Sequence, residues 1–333
     1  MEIVNFSPEY YNDLLAFSKK MWPRNSEEYL KYRLFQIPEN VEDNKHNLLV
    51  INEGKIVGCT LYMPTKARIY GKEENILWSH DMIVEEKYRG GAGLLLLIEM
   101  LKIKSTFGFG TTDINYKIQK ELGTKFIGIA KHFIIFNFWS FKLLLIKLKL
   151  IGVPAREKYS FPDEISVKGK IFRRVLCIKE LKIPDNGYWS NSSVDIDFLR
   201  DEHFLKNRFF ENFNKYFFYK LDPAYKTQHD ECYFVVRPTV EDGYPVLSLV
   251  DFRFNFKKQE QIMLVFKAVA KITKRNRIPL ATVRTSLEYK KLNLFPLIFK
   301  RNSRMDIVTY FPVNTNLMVF ITNADSDSDF LLE

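Results

Sequence analysis

Val84-Glu85-Glu86-Lys87-Tyr88-Arg89-Gly90-Gly91-Ala92-Gly93-Leu94-Leu95 joins an apolar run, Ile76 to Val84, to a leucine-rich run, roughly Leu94 to Lys104. The first run predicts a strand and the second a helix, with a glycine-rich turn between them. Glycine lets backbone N–H groups approach an anion. A helix N-terminus adds unpaired donors and the positive end of the helix dipole. Strand, glycine turn and helix together are a candidate phosphate-binding unit. The alternative is a tight connection that needs glycine only for its backbone angles.

The same residues carry a family resemblance. Val-x-x-x-Tyr-Arg-Gly, followed by more glycine and a leucine-rich helix, resembles the acyl-CoA signature of the GNAT N-acyltransferases. Val84, Tyr88, Arg89, Gly90, Gly91 and Gly93 match it. The resemblance implies acetyl-CoA, or another acyl-CoA, as co-substrate and no metal. It places the CoA site on Met82, Ile83, Val84, Arg89, Gly90, Gly91, Ala92, Gly93 and Leu94. The family usually has Arg-Gly-x-Gly-x-Gly, whereas this chain has Arg-Gly-Gly-Ala-Gly. Either one residue is missing or Ala92 stands in for a glycine.

Catalytic candidates follow from the same likeness. In GNAT enzymes the strand before the glycine turn contacts pantetheine and often carries a base. Here it holds His80 and Asp81. Neighbours on a strand face opposite sides, so only a bulge brings both into one cleft. Histidine titrates near ~6.5, which suits base work. An aspartate needs a raised pKa or a water relay. The competing reading is a hydrogen-bonded strand histidine and an aspartate paired with an arginine. Asn115 matches the family asparagine that contacts pantetheine after the fifth strand. Tyr116 is the candidate acid for the leaving thiolate, although Gln119 sits where the family tyrosine is expected.

Working outward, the chain contains a distant repeat. Glu27-Glu28-Tyr29-Leu30-Lys31-Tyr32-Arg33-Leu34-Phe35 parallels Glu202-His203-Phe204-Leu205-Lys206-Asn207-Arg208-Phe209-Phe210, with five of nine positions identical at an offset of 175 residues. In the first copy, strands at 47–52 and 55–63 join through Glu53-Gly54, a hairpin turn. Strand 76–84, helix 94–104 and strand 107–113 follow. The second copy is read as strands 232–237 and 245–254 joined at 241–243, then helix 259–274 and strand 279–285. Asn255-Phe256-Lys257-Lys258-Gln259 replaces the glycine turn there. The fold class expected is α/β (α+β), with two GNAT-like domains, each a mixed, mostly antiparallel sheet with flanking helices. The boundaries expected are 1–136, a basic junction at 137–185, and a degenerate second domain at 186–333.

Composition bounds the rest. The 333 residues suffice for two domains of ~100–200 residues. Hydrophobic residues make up 46% of the chain, a globular proportion. Cys59, Cys177 and Cys232 show neither metal-ligand nor disulfide spacing, and the N-terminus shows no signal peptide, so a cytoplasmic location is expected. The net charge of +10 is segregated: residues 131–182 carry +8, residues 257–304 carry +11, and the remainder −9. Such a field suits an anionic partner or a solvated basic face. No nucleic-acid module is recognisable, so nucleic acid ranks last. Phe133 to Gly152 reads as a strand followed by a basic amphipathic helix, since lysines interrupt any run of ~18 apolar residues. Such a helix either lies on anionic lipid as a peripheral contact or packs between domains, and packing is preferred. Asp325-Ser326-Asp327-Ser328-Asp329 starts like a calcium loop but lacks its Gly and Glu, and reads as an acidic, solvated tail. Gly-x-Ser-x-Gly, Walker and zinc patterns are absent.

The resulting expectation is an N-acyltransferase moving an acyl group from acyl-CoA directly to an amine, the acceptor being an anionic amino sugar or sugar nucleotide. The rivals are a Fem-type aminoacyl transferase using aminoacyl-tRNA, and a GNAT-like binding module without catalysis.

Overall fold

Glu53 and Gly54 close a hairpin, as their sequence predicts: both have positive φ, 53° and 71°, the twist that a two-residue turn between strands requires. The computed structural model describes residues 1–333 apart from 24–25, 104, 110–112, 153–158, 182, 184–187, 190–193, 223, 225–231, 242, 257, 259, 288–297, 314–316 and 326–333. The chain forms two compact units, Met1–Ile129 with Met305–Val319, and Ala130–Arg304 with Phe320–Glu333.

In chain order the first part holds β1 (Glu2–Asn5), α1 (Tyr11–Met21), α2 (Glu27–Lys31), α3 (Pro38–Glu42), β2 (Leu48–Asn52), β3 (Lys55–Ile69), β4 (Lys72–Val84), α4 (Arg89–Lys102), β5 (Thr106–Phe109), α5 (Asp113–Glu121) and β6 (Lys125–Phe136). There follow α6 (Phe141–Lys147), β7 (Glu164–Val167), β8 (Lys170–Val175), β9 (Tyr188–Trp189), β10 (Ile196–Phe198), β11 (Arg200–Asp201), α7 (Glu202–Leu205), β12 (Phe217–Leu221), β13 (Tyr233–Glu241), β14 (Tyr244–Arg253), α8 (Glu260–Arg275), β15 (Leu280–Thr285) and β16 (Ile298–Thr309).

In the first unit β1 to β4 are successively antiparallel, and β5 lies parallel to β4 through Leu77↔Thr106 and Ser79↔Gly108. Beside β5 runs the end of β16, antiparallel, Phe107 facing Thr309. Helices cover both faces. Leu14 and Phe17 of α1 pack on Leu49, Cys59 and Leu61, while Ala92 and Leu96 of α4 pack on Val50, Val57 and Val84 across the sheet.

The second unit repeats the scheme. β12, β13 and β14 are antiparallel, β15 is parallel to β14, and residues 131–136 of β6 run antiparallel beside β15. β8 and β7 extend the sheet beyond β12. Ile262, Val265 and Val269 of α8 pack on one face with Phe234 and Leu249, and Leu205 and Phe209 pack on the other with Val235 and Val250. β7 and β8 lie in the stretch read from sequence as junction, and they are strands of this sheet.

The repeated motif folds alike in both units. α2 is capped by Ser26 and α7 by Asp201, each accepting from the backbone N–H three residues on. Each helix then widens into one π-helical turn, Tyr32–Gln36 and Lys206–Phe210. That turn buries an arginine on a tyrosine hydroxyl: Arg33 on Tyr29 at 2.7 Å and Arg208 on Tyr216 at 2.6 Å. The hairpins, however, are one strand out of step with the sequence-based alignment. β13 ends at Glu241 opposite Tyr244, where β14 begins, and the counterpart of this hairpin is that of β3 and β4, closed at Tyr70-Gly71. The missing strand is β12, Phe-Phe-Tyr-Lys-Leu. It is buried along its whole length, so it shows no apolar–polar alternation.

A buried ionic cluster holds the second unit. Arg200 donates to both oxygens of Asp251, at 3.0 and 3.2 Å, and lies 2.7 Å from Asp325. Arg253, Tyr233 and Thr322 also donate to Asp251. Asp325 is therefore an internal ion-pair partner and not part of a solvated tail, which corrects the expectation at that residue. The rest of that acidic run, 326–329, lies outside the described residues. Burial pushes the Asp251 carboxyl up, but Arg200 and Arg253 outweigh it and hold it below the usual carboxylate range. Burial dominates at Asp325 and holds it above that range, against the pull of Arg200.

Asp251→Asn removes the carboxylate that two buried guanidinium groups share, leaving Arg200 only Asp325 and Arg253 only Asp197 as acidic partners among the described residues, and is expected to cost about 3–5 kcal/mol in urea unfolding. Asp325→Asn is expected to cost less, because ionised Asp325 is itself unfavourable. Asp251 has a native pKa below its unfolded value near ~3.9, so its stabilisation is present above that pH and lost as pH falls through the native value. Acid titration of the urea midpoint should show that loss in wild type and not in Asp251→Asn.

Candidate functional site

β4 ends at Val84, a 3-10 turn spans Glu86–Tyr88, and α4 begins at Arg89. The four residues after Arg89 therefore lie in the first turns of the helix, not in a turn that precedes it. Tyr88 N–H donates to the Glu85 carbonyl at 2.9 Å and Arg89 N–H to that of Glu86. Helix geometry leaves the N–H groups of Gly90 and Gly91 without intrahelical acceptors.

The glycines differ in what they do. Gly90 is exposed and has ordinary helical dihedrals, and a Cβ built on it would meet nothing within 4 Å. Neither backbone conformation nor packing calls for glycine there. A Cβ on Gly91 would lie 2.8 Å from the mobile end of Met1, and one on Gly93 would lie 3.9 Å from Met82. Ala92 is fully buried against Val50, Val57 and Val84. The departure from the family spacing thus has a local reason: Ala92 is the inward residue of this turn and the core takes its methyl group. Gly90 and Gly91 are exposed.

Charge at this end of the sheet is mixed. Lys20 pairs with Glu85 at 2.5 Å and holds its carboxyl below the usual range. Lys87 lies 4.6 Å from the centre of the Tyr88 ring, and the Tyr88 hydroxyl accepts from Asn52 at 3.3 Å. Arg89 is exposed and makes no ion pair among the described residues.

Of the other candidates, Ile83 and Val84 are nearly buried and Met82 is half-buried beside α4. Leu94 points outward, 46% exposed. His80 and Asp81 lie on β4, and Asn115 and Tyr116 in the first turns of α5, but their side chains lie outside the described residues. The backbone at 80–83 is informative. Cys59 faces Ile83 and Leu61 faces His80, so β4 carries one residue more than β3 across from Thr60. This is a bulge at Asp81–Met82, next to His80, which keeps its regular pairing with Leu61. Gln119 is buried in α5. His46 was not singled out from sequence. It pairs with Asn40 at 2.7 Å, and burial lowers its pKa. Its only sequence signal is a histidine among asparagines. Among the described residues no cluster of His, Cys, Asp or Glu is arranged to hold a metal.

The corresponding connection of the second unit carries Phe256. Phe256 stacks on Phe254 at 4.7 Å and meets Phe320 edge-on at 5.2 Å. An aromatic side chain packed on the core stands in this connection, where the first unit has Arg89 and glycines.

No protein-family model matches the chain, and no curated protein matches it. Solved structures do. A GCN5-related N-acetyltransferase from Anabaena variabilis matches with a TM-score of 0.57 at 13% identity, over 92% of this chain and 71% of that one. One from Kribbella flavida gives 0.55 at 14%, over 92% and 70%. An N-myristoyltransferase from Saccharomyces cerevisiae, solved with bound myristoyl-CoA, gives 0.60 at 10%, over 96% and 79%. The chain has the GNAT-type fold.

Because Gly90 serves neither conformation nor packing, Gly90→Ala is expected to raise stability by about 0.5–1 kcal/mol, the helix-propensity difference. Thermal unfolding of the two proteins tests this, and a drop in Tm would mean the site is tighter than it looks.

Proposed function

We propose that this chain is an N-acyltransferase that takes its acyl group from acyl-CoA, with the CoA pyrophosphate seated on the N-terminus of α4. The observation that carries this reading is Gly90. A glycine in a helix costs about 1 kcal/mol and here meets no structural need, while its exposed amide and that of Gly91 offer what a phosphate binds. Arg89 adds a mobile guanidinium suited to the same oxygens. The GNAT-type fold supports the reading, as does the bulge in β4.

In this scheme the amine nitrogen attacks the thioester carbonyl carbon. The C–N bond forms and the C–S bond breaks. The proton lost by the amine goes to a base, for which His80 and Asp81 are the candidates, and the leaving thiolate takes one from Tyr116. The backbone of Met82 to Val84 and the amide of Asn115 would hold pantetheine. The acceptor proposed is a small anionic amine, an amino sugar or sugar nucleotide, on the strength of the net charge of +10.

Calorimetry with acetyl-CoA and a longer acyl-CoA tests the site. Arg89→Glu and Gly90→Val are each expected to weaken binding by about tenfold or more, one through charge and one through bulk over the amides. Lys258→Glu, just before α8 in the second unit where no glycine stands, should leave affinity unchanged. Full affinity in both first-unit variants would remove the helix terminus as the CoA site.

A further inference from the structure

Phe138, Trp139 and Phe141 form an aromatic cluster in the second unit, with ring centroids 5.5 to 6.2 Å apart. Unlike the core clusters it faces outward: Phe138 is 73% and Phe141 45% exposed. Leu148, Leu150 and Ile151, just past α6, are exposed as well. These side chains are not part of the second unit's core. An exposed cluster of aromatic rings of this kind marks a contact site.

The segment is held in place. Asn137 donates to the Ile278 carbonyl at 2.8 Å, and the Ser140 hydroxyl to that of Pro279 at 2.5 Å. These bonds fasten it to the α8–β15 connection, where Lys274, Arg275 and Arg277 are exposed. Arg277 and Lys142 both lie over the Trp139 ring, at 5.5 and 4.9 Å. Two basic stretches that are far apart in sequence thus meet at one aromatic patch. Residues 137–151 and 271–287 contain no Asp or Glu at all.

We propose that this face docks on an anionic lipid surface. Aromatic rings partition into the headgroup region, flanking leucines reach the acyl boundary, and the cations pair with lipid phosphates. A protein partner would have to supply acids and an apolar hollow together, whereas an anionic bilayer presents both everywhere. The contact is peripheral, since no helix among the described residues is long and apolar enough to cross a membrane. The inference is independent of the acyl-transfer reading.

Co-sedimentation of the full chain with vesicles tests it, comparing phosphatidylcholine alone with an equal mixture of phosphatidylcholine and phosphatidylglycerol. Binding is expected only to the mixture and should fall as salt shortens the screening length. Arg275→Glu with Arg277→Glu, and Phe138→Ser with Phe141→Ser, should each lower the bound fraction about tenfold or more at unchanged Tm. Leu150→Ser, at a position 67% exposed, repeats the apolar test without touching the aromatic cluster. Absent binding, equal binding to both vesicle types, or binding that all three variants retain would overturn the proposal. So would a wild-type dimer that the Phe138→Ser, Phe141→Ser pair dissociates.

Discussion

A parallel strand pair cannot be closed by a hairpin; the chain must cross over, and here it does so through one helix. β4 and β5 are such a pair, and α4 is the crossover. This constraint places the start of a helix, with its unpaired N–H groups, at the end of β4. The residues at that start then decide what the corner can do. In the first unit they are Arg89, Gly90 and Gly91, and the backbone is bare. In the second, β14, α8 and β15 make the same crossover, and Phe256, stacked on Phe254, precedes the helix without a glycine.

The two halves share more than topology. In each, a capped helix widens into a π-turn that carries an arginine inward onto a tyrosine hydroxyl. A buried guanidinium left unpaired is costly, and the tyrosine hydroxyl accepts one of its donors, from one turn earlier in the first unit and from the residue before β12 in the second. The second unit adds the cluster around Asp251, where two arginines and two hydroxyls converge on one carboxylate. The first unit has no such cluster among its described residues. Its sheet relies on the long β3–β4 ladder and on apolar helices packed on both faces. The strand beside the parallel pair comes from residues 305–309 in the first unit and from 131–136 in the second.

Much of this was legible in the sequence. The switch from an apolar run to glycines to a leucine-rich run marked β4, α4 and the boundary between them. Glu53-Gly54 gave a hairpin, and the nine-residue match gave the repeated helix. Strands with one wet face or a marked turn declare themselves by local pattern. Local pattern failed at β12, buried on both faces and therefore without period. It also failed along the polar outer half of the β3–β4 hairpin, and at Asp325, which joins an internal ion pair from inside an acidic run.

The sequence by itself determined where backbone could be exposed and where charge would gather, because glycine content and side-chain charge are properties of single residues. Tertiary structure alone decided three further things. It assigned Ala92 to the core, so that Gly90 and Gly91 remain on the open side. It bulged β4 at Asp81–Met82, since a register shift exists only relative to a partner strand. And it brought residues 137–141 against 274–280, so that two basic stretches share one aromatic face. Each depends on which segments become neighbours, and no local run of residues encodes that.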